Sequence, residues 1–308
     1  DMELMGLDDI LASIKKAQDE ENIKGIYIEG GISSFDAPAT AQQIRDALKN
    51  FRKSGKWIVA YADQYMQASY YVASVADKVY INKTGMLDFK GLGGQSEYLK
   101  GLYDKLGVKY QVAKVGKYKS YAERNTLTGM SDYDPEQRTA YTQGIWQHWL
   151  SDIAESRKVT AAQLDQLASD SIIGLADAKD YVTAKLVDKL MYPDEVSKEI
   201  KSLLKIDADD DINQLTLADM KNLPSKDKKE GDKVAVYYAY GSIIDNETSG
   251  IFSSEHSIVG TKTVDDLNKL AKDDDVKAVV LRVNSGGLDS EIVDTTENLL
   301  LESATFDC

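Results

Sequence analysis

Short β-like runs alternating with amphipathic helical stretches constrain this chain more than any other feature in it. Ile10, Leu11, Ile14 and Ala17 recur at helical spacing, and "IKGIYIEGG" (23–31) follows as a β-run ending in two glycines. "KWIVAYAD" (56–63) reads as a second strand, "QASYYVASVAD" (67–77) as a short helix and "KVYIN" (78–82) as a third strand. The turn "KGLGGQ" (90–95) precedes a helix whose apolar face is Leu99, Leu102, Tyr103 and Leu106, and Gly107 stops it. "VKYQVAKV" (108–115) alternates apolar and polar residues as a strand does. Pro135 suits the first turn of a long helix running to 157, with Tyr141, Ile145, Trp149 and Ile153 on its buried side. "LADAKDYVTAKLVDKL" (175–190) reads as a further helical segment. Strands joined through helices need crossover connections, so the expected class is α/β with a largely parallel sheet.

Residues 201–232 change character. They are charged, poor in aromatics and carry a Pro-Ser-Lys-Asp run, which predicts a linker, and "KVAVYYAYGSII" (233–244) then opens a new strand. "DDILASIKKAQDEENIKGIYIEGG" (8–31) resembles "VDDLNKLAKDDDVKAVVLRVNSGG" (264–287), and placing Ile23 on Val276 gives an offset of 253. Leu11, Ile14 and Ala17 then fall on Val264, Leu267 and Leu270, and an acidic turn before a β-run recurs in both. The expectation is a duplicated unit: a first repeat over 1–200, a linker over 201–232, and the incomplete start of a second repeat over 233–308.

Charge narrows the partners. The chain holds 37 Lys and Arg against 51 Asp and Glu, a net −14, so a phosphate backbone is repelled and nucleic acid is a poor partner. A single cysteine, Cys308, makes no internal disulfide, and two histidines with one cysteine do not build the common zinc sites. Neither a metal nor a cofactor is expected. No run approaches the ~18 consecutive apolar residues of a membrane span. The opening "DMELMGLDDI" reads as the middle of something, which places any leader or anchor outside these residues.

Lys119, in "VAKVGKYKSYAE" (113–124), follows a β-like run and a glycine turn, where crossover folds place their active sites. The bland alternative is an exposed surface lysine. A lysine acting as general base needs its pKa moved from ~10.4 toward 7–8 by burial, and Tyr118 and Tyr121 stand near enough in sequence to supply cover. Serine–lysine pairs replace serine–histidine pairs on several folds. In "VNSGG" (283–287), Gly286 and Gly287 follow a strand and free backbone N–H groups for an oxyanion hole, though an ordinary turn reads the same way. "GLGG" (91–94) lacks the spacing of a dinucleotide loop. The acidic run 207–218 has Ile212 and Ala218 where a calcium loop needs glycine and glutamate. His148, beside Trp149, reads as a partly buried structural histidine.

Several motifs together resemble one family. "VGKYKS" (115–120), "ASYYVASVADKVYIN" (68–82), "AKLVDKL" (184–190) and "VKAVVLRVNSGG" (276–287) resemble signal peptide peptidase A, or protease IV, in its long two-repeat form. The resemblance implies a crotonase- and Clp-protease-like fold of repeated ββα units. It implies a membrane-attached serine protease on the extracytoplasmic side of a bacterial inner membrane that degrades released signal peptides or other extended peptides. It also implies self-association into a homo-oligomer. Its serine–lysine dyad maps its lysine onto Lys119, flanked by Tyr118 and Ser120, with Gly286 and Gly287 as oxyanion-hole positions. The family's nucleophile lies in a "M-A-A-S-G-G-Y-Y" segment of the second repeat. In "YMQASYYVAS" (65–74) the corresponding place holds Gln67, with Ser69 two residues on. At the offset of 253 the second-repeat serine falls at position 320, outside the chain, and the sequence after Gly287 departs from the family. The chain is therefore expected to be inactive alone. Two other readings on the same fold are a noncatalytic oligomerising or peptide-binding domain and an acyl-thioester enzyme, the latter giving "YKS" no role.

Overall fold

A computed structural model describes residues 5–30, 37–112, 114–170, 177–224, 232–244 and 257–285. The chain divides into two compact units, Asp1–Lys226 and Asp227–Cys308. In the first, the described elements are α1 (Leu7–Asp19), β1 (Gly25–Glu29), α2 (Pro38–Arg52), β2 (Trp57–Tyr65), α3 (Gln67–Ala73), β3 (Lys78–Leu87), α4 (Lys100–Leu106), α5 (Glu123–Thr126), α6 (Tyr133–Arg157), α7 (Ala161–Ser169), α8 (Ala178–Thr183), β4 (Lys189–Leu190), α9 (Pro193–Leu204) and α10 (Leu217–Asn222). The second contains β5 (Lys233–Tyr240), β6 (Ser242–Ile244), β7 (Ser257–Val259), α11 (Gly260–Ala271) and β8 (Val276–Asn284).

The first unit is built on a four-stranded sheet in the order β1-β2-β3-β4, parallel throughout. β2 shows why these residues make a central strand. Ile58, Ala60 and Ala62 face one core with α1, α2, α3, α6 and α7, while Val59 and Tyr61 face a second, smaller cluster with Val196 and Ile200 of α9. Both faces are covered, as a parallel sheet requires, and the run is nearly continuous in apolar residues for that reason. Gly25 is fixed by its neighbour: a Cβ there would lie 2.2 Å from the Trp57 ring. The end of α6 is tied to the sheet by Arg157, whose Nη1 and Nη2 donate to the two Asp188 carboxylate oxygens at 3.1 and 3.0 Å, while Asp188 Oδ2 accepts from the Val79 N–H at 2.7 Å. Arg45, almost fully buried, donates to the Tyr71 and Asp152 carbonyls and to the Ser74 and Ser156 hydroxyls, and lies over the Tyr71 ring.

The structure departs from the sequence reading in four places. The described residues of 108–115 form no strand: Val108, Tyr110 and Val112 alternate as a strand would, but all three are exposed and no described strand pairs with them. The apolar face of α4 is open, with Leu102 and Leu106 exposed, although Gly107 ends the helix as expected in the left-handed region at φ 70°. Tyr141 is exposed as well. The core begins to bury α6 only at Ile145 and Trp146, so the earlier half of that helix projects from the packed region. The stretch 175–190 is helical only over Ala178–Thr183. Lys185, left-handed at φ 60°, turns the chain, and Leu186 and Val187 enter the core on the way to β4.

The stretch read as a linker over 201–232 is in good part packed structure. Its start completes α9, and Thr216 opens α10 with a capping box in which Thr216 and Asp219 each satisfy the other's backbone N–H. Met220 is buried in the main core, and Lys16 Nζ of α1 donates to the carbonyls of Lys221 and Leu223 at 2.8 and 2.7 Å. High charge hid a short capped helix whose single apolar anchor is Met220.

In the second unit β5 and β8 pair in parallel with α11 between them in the chain, and β6 pairs with β7 in parallel. Among the described residues no helix is long and apolar enough to cross a membrane.

Candidate active site

The described residues of 90–144 contribute nothing to either hydrophobic cluster: the main core passes from Phe89 to Ile145. Among the described residues of this segment, only two are buried, and both are carboxylates, Glu123 and Asp134. Lys119 lies in this arm. Gly116, at φ 85°, turns the chain into "KYKS", a conformation that suits glycine because it lacks a Cβ. The turn closes when the Glu123 N–H at the start of α5 donates to the Ser120 carbonyl at 2.9 Å.

The residues around Lys119 are held by polar and aromatic contacts. The Tyr118 hydroxyl donates to Glu136 Oε1 at 2.9 Å. Lys117 Nζ stands 4.8 Å from the ring centroids of both Tyr118 and Tyr133, which pack edge to face. Glu123 accepts from Lys114 Nζ at 3.3 Å and from the Ser131 N–H at 3.2 Å. Burial alone would push its pKa up, but the hydrogen bonds from Ser131 and Lys114 outweigh that and hold it below the ordinary glutamate value. Asp134 follows the same logic. Burial raises it, and the Ser120 hydroxyl together with Arg138, whose Nε donates at 2.8 Å, brings it below the ordinary aspartate value. Its Oδ1 is buried and has no hydrogen-bond partner among the described residues.

Lys119 itself is exposed, and its side chain makes no hydrogen bond or ion pair among the described residues. The expected tyrosine cover is absent: Tyr121 is 86% exposed, and Tyr118 is turned to Glu136. The expected strand before the turn is absent too, because 108–115 is unpaired. Gly286 and Gly287 lie outside the described residues; the strand they follow, β8, ends at Asn284.

The strand-to-helix elbow of the first unit runs from β2 through Met66 into α3. Gln67, in the place of the family's serine, is committed to structure. Its Oε1 accepts from the Lys90 and Gly91 N–H groups at 2.9 Å each, and its Nε2 donates to the Gly91 carbonyl at 3.0 Å. Ser69 is buried and donates to the Met66 carbonyl at 2.8 Å. His148 is about half exposed, with Nε2 3.5 Å from Asp152 Oδ2, rather than partly buried in the core. At the carboxyl ends of β2 and β3, the Tyr61 hydroxyl and Asn82 Nδ2 both donate to Asp63 Oδ1 at 2.8 Å, and the Tyr61 hydroxyl is pushed up to about 12, by burial first and the Asp63 hydrogen bond second. No described group of His, Cys, Asp or Glu side chains could hold a metal ion. A cavity of about 600 Å³ opens beside Arg52, Lys78, Arg157 and Lys185, and Lys119 does not line it.

Sequence reasoning found Lys119 but missed the groups that hold its turn. Their one visible signal was the acidic "YDPE" (133–136) at the start of a long helix, where carboxylates favour the helix N-terminus.

The chain is 32% identical over 308 residues to "Protease 4" of Haemophilus influenzae, covering 94% of the chain and 48% of that protein. It is 32% identical over 286 residues to "Protease 4" of Salmonella typhi, covering 91% of the chain and 45% of that protein. It is 24% identical over 301 residues to "Serine protease SPPA, chloroplastic" of Arabidopsis thaliana, covering 93% and 42% respectively. The chain thus spans about half the length of the curated relatives it matches. The family model of Peptidase family S49 matches residues 50–207, just over half of the chain and the whole of the Lys119 arm, and the chain belongs to that family.

Proposed function

We propose that this chain is the base-bearing part of a protease IV-type serine peptidase on a crotonase-like fold. Lys119 is its general base, and the serine nucleophile is supplied by a segment outside these residues. The serine Oγ attacks the peptide carbonyl while its proton passes to Lys119 Nζ. The C–N bond of the tetrahedral intermediate then breaks, and Lys119 returns the proton to the leaving amine. Water releases the acyl group by the reverse sequence. Gly286 and Gly287 supply backbone N–H groups to the oxyanion. The substrates are extended peptides, signal peptides released into a membrane among them, and the intact protein is a membrane-attached, extracytoplasmic homo-oligomer.

One observation carries this reading: within a chain of the S49 family, the lysine of "YKS" is a side chain without a hydrogen-bond or ion-pair partner among the described residues, next to a tyrosine anchored by Glu136. Duplication is supported by order. At the offset of 253, α1 falls on α11 and β1 falls within β8. Gln67 and Ser69 are both committed to hydrogen bonds at the first-repeat elbow, which favours a nucleophile elsewhere. The test is a fluorogenic-peptide assay. The intact protein turns over and Lys119→Ala abolishes turnover, whereas residues 1–308 alone show none. Turnover by residues 1–308 would place the nucleophile among their own serines and overturn the assignment.

A second reading, a noncatalytic self-associating or peptide-binding domain, is favoured by the exposed Leu102, Leu106, Val108, Tyr110 and Val115. An intact protein that assembles, measured by light scattering, but shows no Lys119-dependent turnover would establish it.

A further inference from the structure

Lys119 sits where hydrophobic packing offers no support. The arm from 90 to 144 buries no apolar residue among those described, so dispersion and apolar burial, which fix side chains in ordinary cores, do not fix this turn. What is buried there is charge. Asp134 and Glu123 are 2% and 4% exposed, and a buried carboxylate is costly unless it is paired. Both are paired: Asp134 to Arg138, and Glu123 to Lys114 and the Ser131 N–H. Glu136, one helical turn from Tyr133, takes the Tyr118 hydroxyl. The residue before Lys119 is therefore held by a carboxylate from the first turn of α6.

We infer that Glu136 is a positioning residue for Lys119, anchoring Tyr118 so that the amine next to it is presented at one fixed place. This rests on the reading of Lys119 as the base. Tyr118 and Glu136 meet at the surface, so removing their hydrogen bond leaves the fold intact.

The test uses the intact protein and a fluorogenic peptide, with Lys119→Ala as reference. Glu136→Ala and Tyr118→Phe each lower kcat by about tenfold or more while KM stays within about twofold, because a misplaced catalytic group costs rate rather than binding. The pair combined is no worse than either alone, since both remove one hydrogen bond. Glu136→Gln, which keeps the acceptor, restores most of kcat. In residues 1–308, Glu136→Ala speeds amide hydrogen exchange at 118–120 without shifting the melting temperature. Unchanged kcat in Glu136→Ala and Tyr118→Phe, with Lys119→Ala dead, overturns the positioning role alone. A parallel loss in KM, or additive effects in the double variant, overturns it too. An active Lys119→Ala protein overturns the base assignment and the positioning role together.

Discussion

Removing the Asp188 carboxylate is the sharpest test of how the first unit is held together. Arg157 has a side chain only 6% exposed, and its two terminal nitrogens both donate to Asp188. Asp188 also takes the Val79 N–H, joining the end of α6, the entry to β3 and the approach to β4. Asp188→Ala leaves two guanidinium donors and one backbone donor without their acceptor, while Arg157 Nε keeps the Lys185 carbonyl at 3.0 Å. Breaking a buried pair by removing one partner costs about 3–5 kcal/mol. Asp188 is a third exposed, so water replaces part of what is lost and the lower end, about 3 kcal/mol, is expected. In a domain of this size that lowers the melting temperature by roughly 6–12 °C. Urea unfolding followed by circular dichroism reads the change directly. Arg157→Met combined with Asp188→Leu removes the charge and its partner together, and recovers most of the loss because apolar replacement of a whole buried pair is often neutral. A loss under about 1 kcal/mol for Asp188→Ala, or a double variant as unstable as the summed singles, refutes the argument. The pair also fixes a pH dependence. Burial pushes Asp188 up, but Arg157 and the Val79 N–H bring its folded pKa below the unfolded value of 3.8. Its contribution is therefore full above that value and fades as pH falls through the folded pKa.

Three further outcomes follow from other contacts. Gln67→Ala removes three hydrogen bonds to the 90–91 turn and costs about 2–3 kcal/mol in urea unfolding at roughly 1 kcal/mol each; a loss under about 0.5 kcal/mol would show that water replaces the amide fully. Thr216→Ala removes the cap of α10 and destabilises by about 1 kcal/mol, with faster amide exchange at 217–220 than elsewhere in the unit. Glu123 and Asp134 both have folded pKa values below their ordinary values of 4.5 and 3.8, so their stabilisation of the arm is present above those values and lost on acidification. Hydrogen exchange at 114–138 then rises below about pH 4, before that of β2 and β3.

The parts legible in the sequence were those whose residues answer to a nearby, repeated constraint. β1, β2 and β3 were visible because Ile58 to Ala62 and Val79 to Ile81 must be apolar on both faces of a covered sheet. Gly107 was visible as a helix stop because the left-handed backbone there suits glycine. Periodicity failed wherever an apolar pattern had nothing to pack against. Val108, Tyr110 and Val112 alternate without a partner strand, and Tyr141 shares the helical stripe of Trp149 but sits before the core begins. Composition failed in the opposite direction at 217–222, where one buried methionine and a capping box outweigh the surrounding charge. At the site, Lys119 was legible through its motif, while the anchoring of Tyr118 by Glu136 and the staple made by Gln67 join residues 18 and 24 positions apart, beyond what local spacing shows.

The openness of Lys119 bears on what the rest of the peptidase must do. A lysine serving as base at neutral pH has to be moved about 3 units from its ordinary value, roughly 4 kcal/mol of desolvation or like-charge contact. The tyrosines beside it in sequence do not cover the amine: Tyr118 is turned to Glu136 and Tyr121 is exposed. In the proposed enzyme Glu136 fixes the turn from one side while an apolar surface from outside the arm covers the amine from the other. Position and neutrality then come from different partners. Loss of Glu136 disturbs the first, and loss of the covering surface the second. The exposed Val115 and Tyr121, on either side of Lys119, are the apolar groups that such a surface would meet. Val115→Asp therefore lowers turnover of the intact protein while leaving the urea stability of residues 1–308 unchanged within about 0.5 kcal/mol. Full turnover in Val115→Asp would leave this side of the turn uncovered in the working enzyme, and the division of labour would fail.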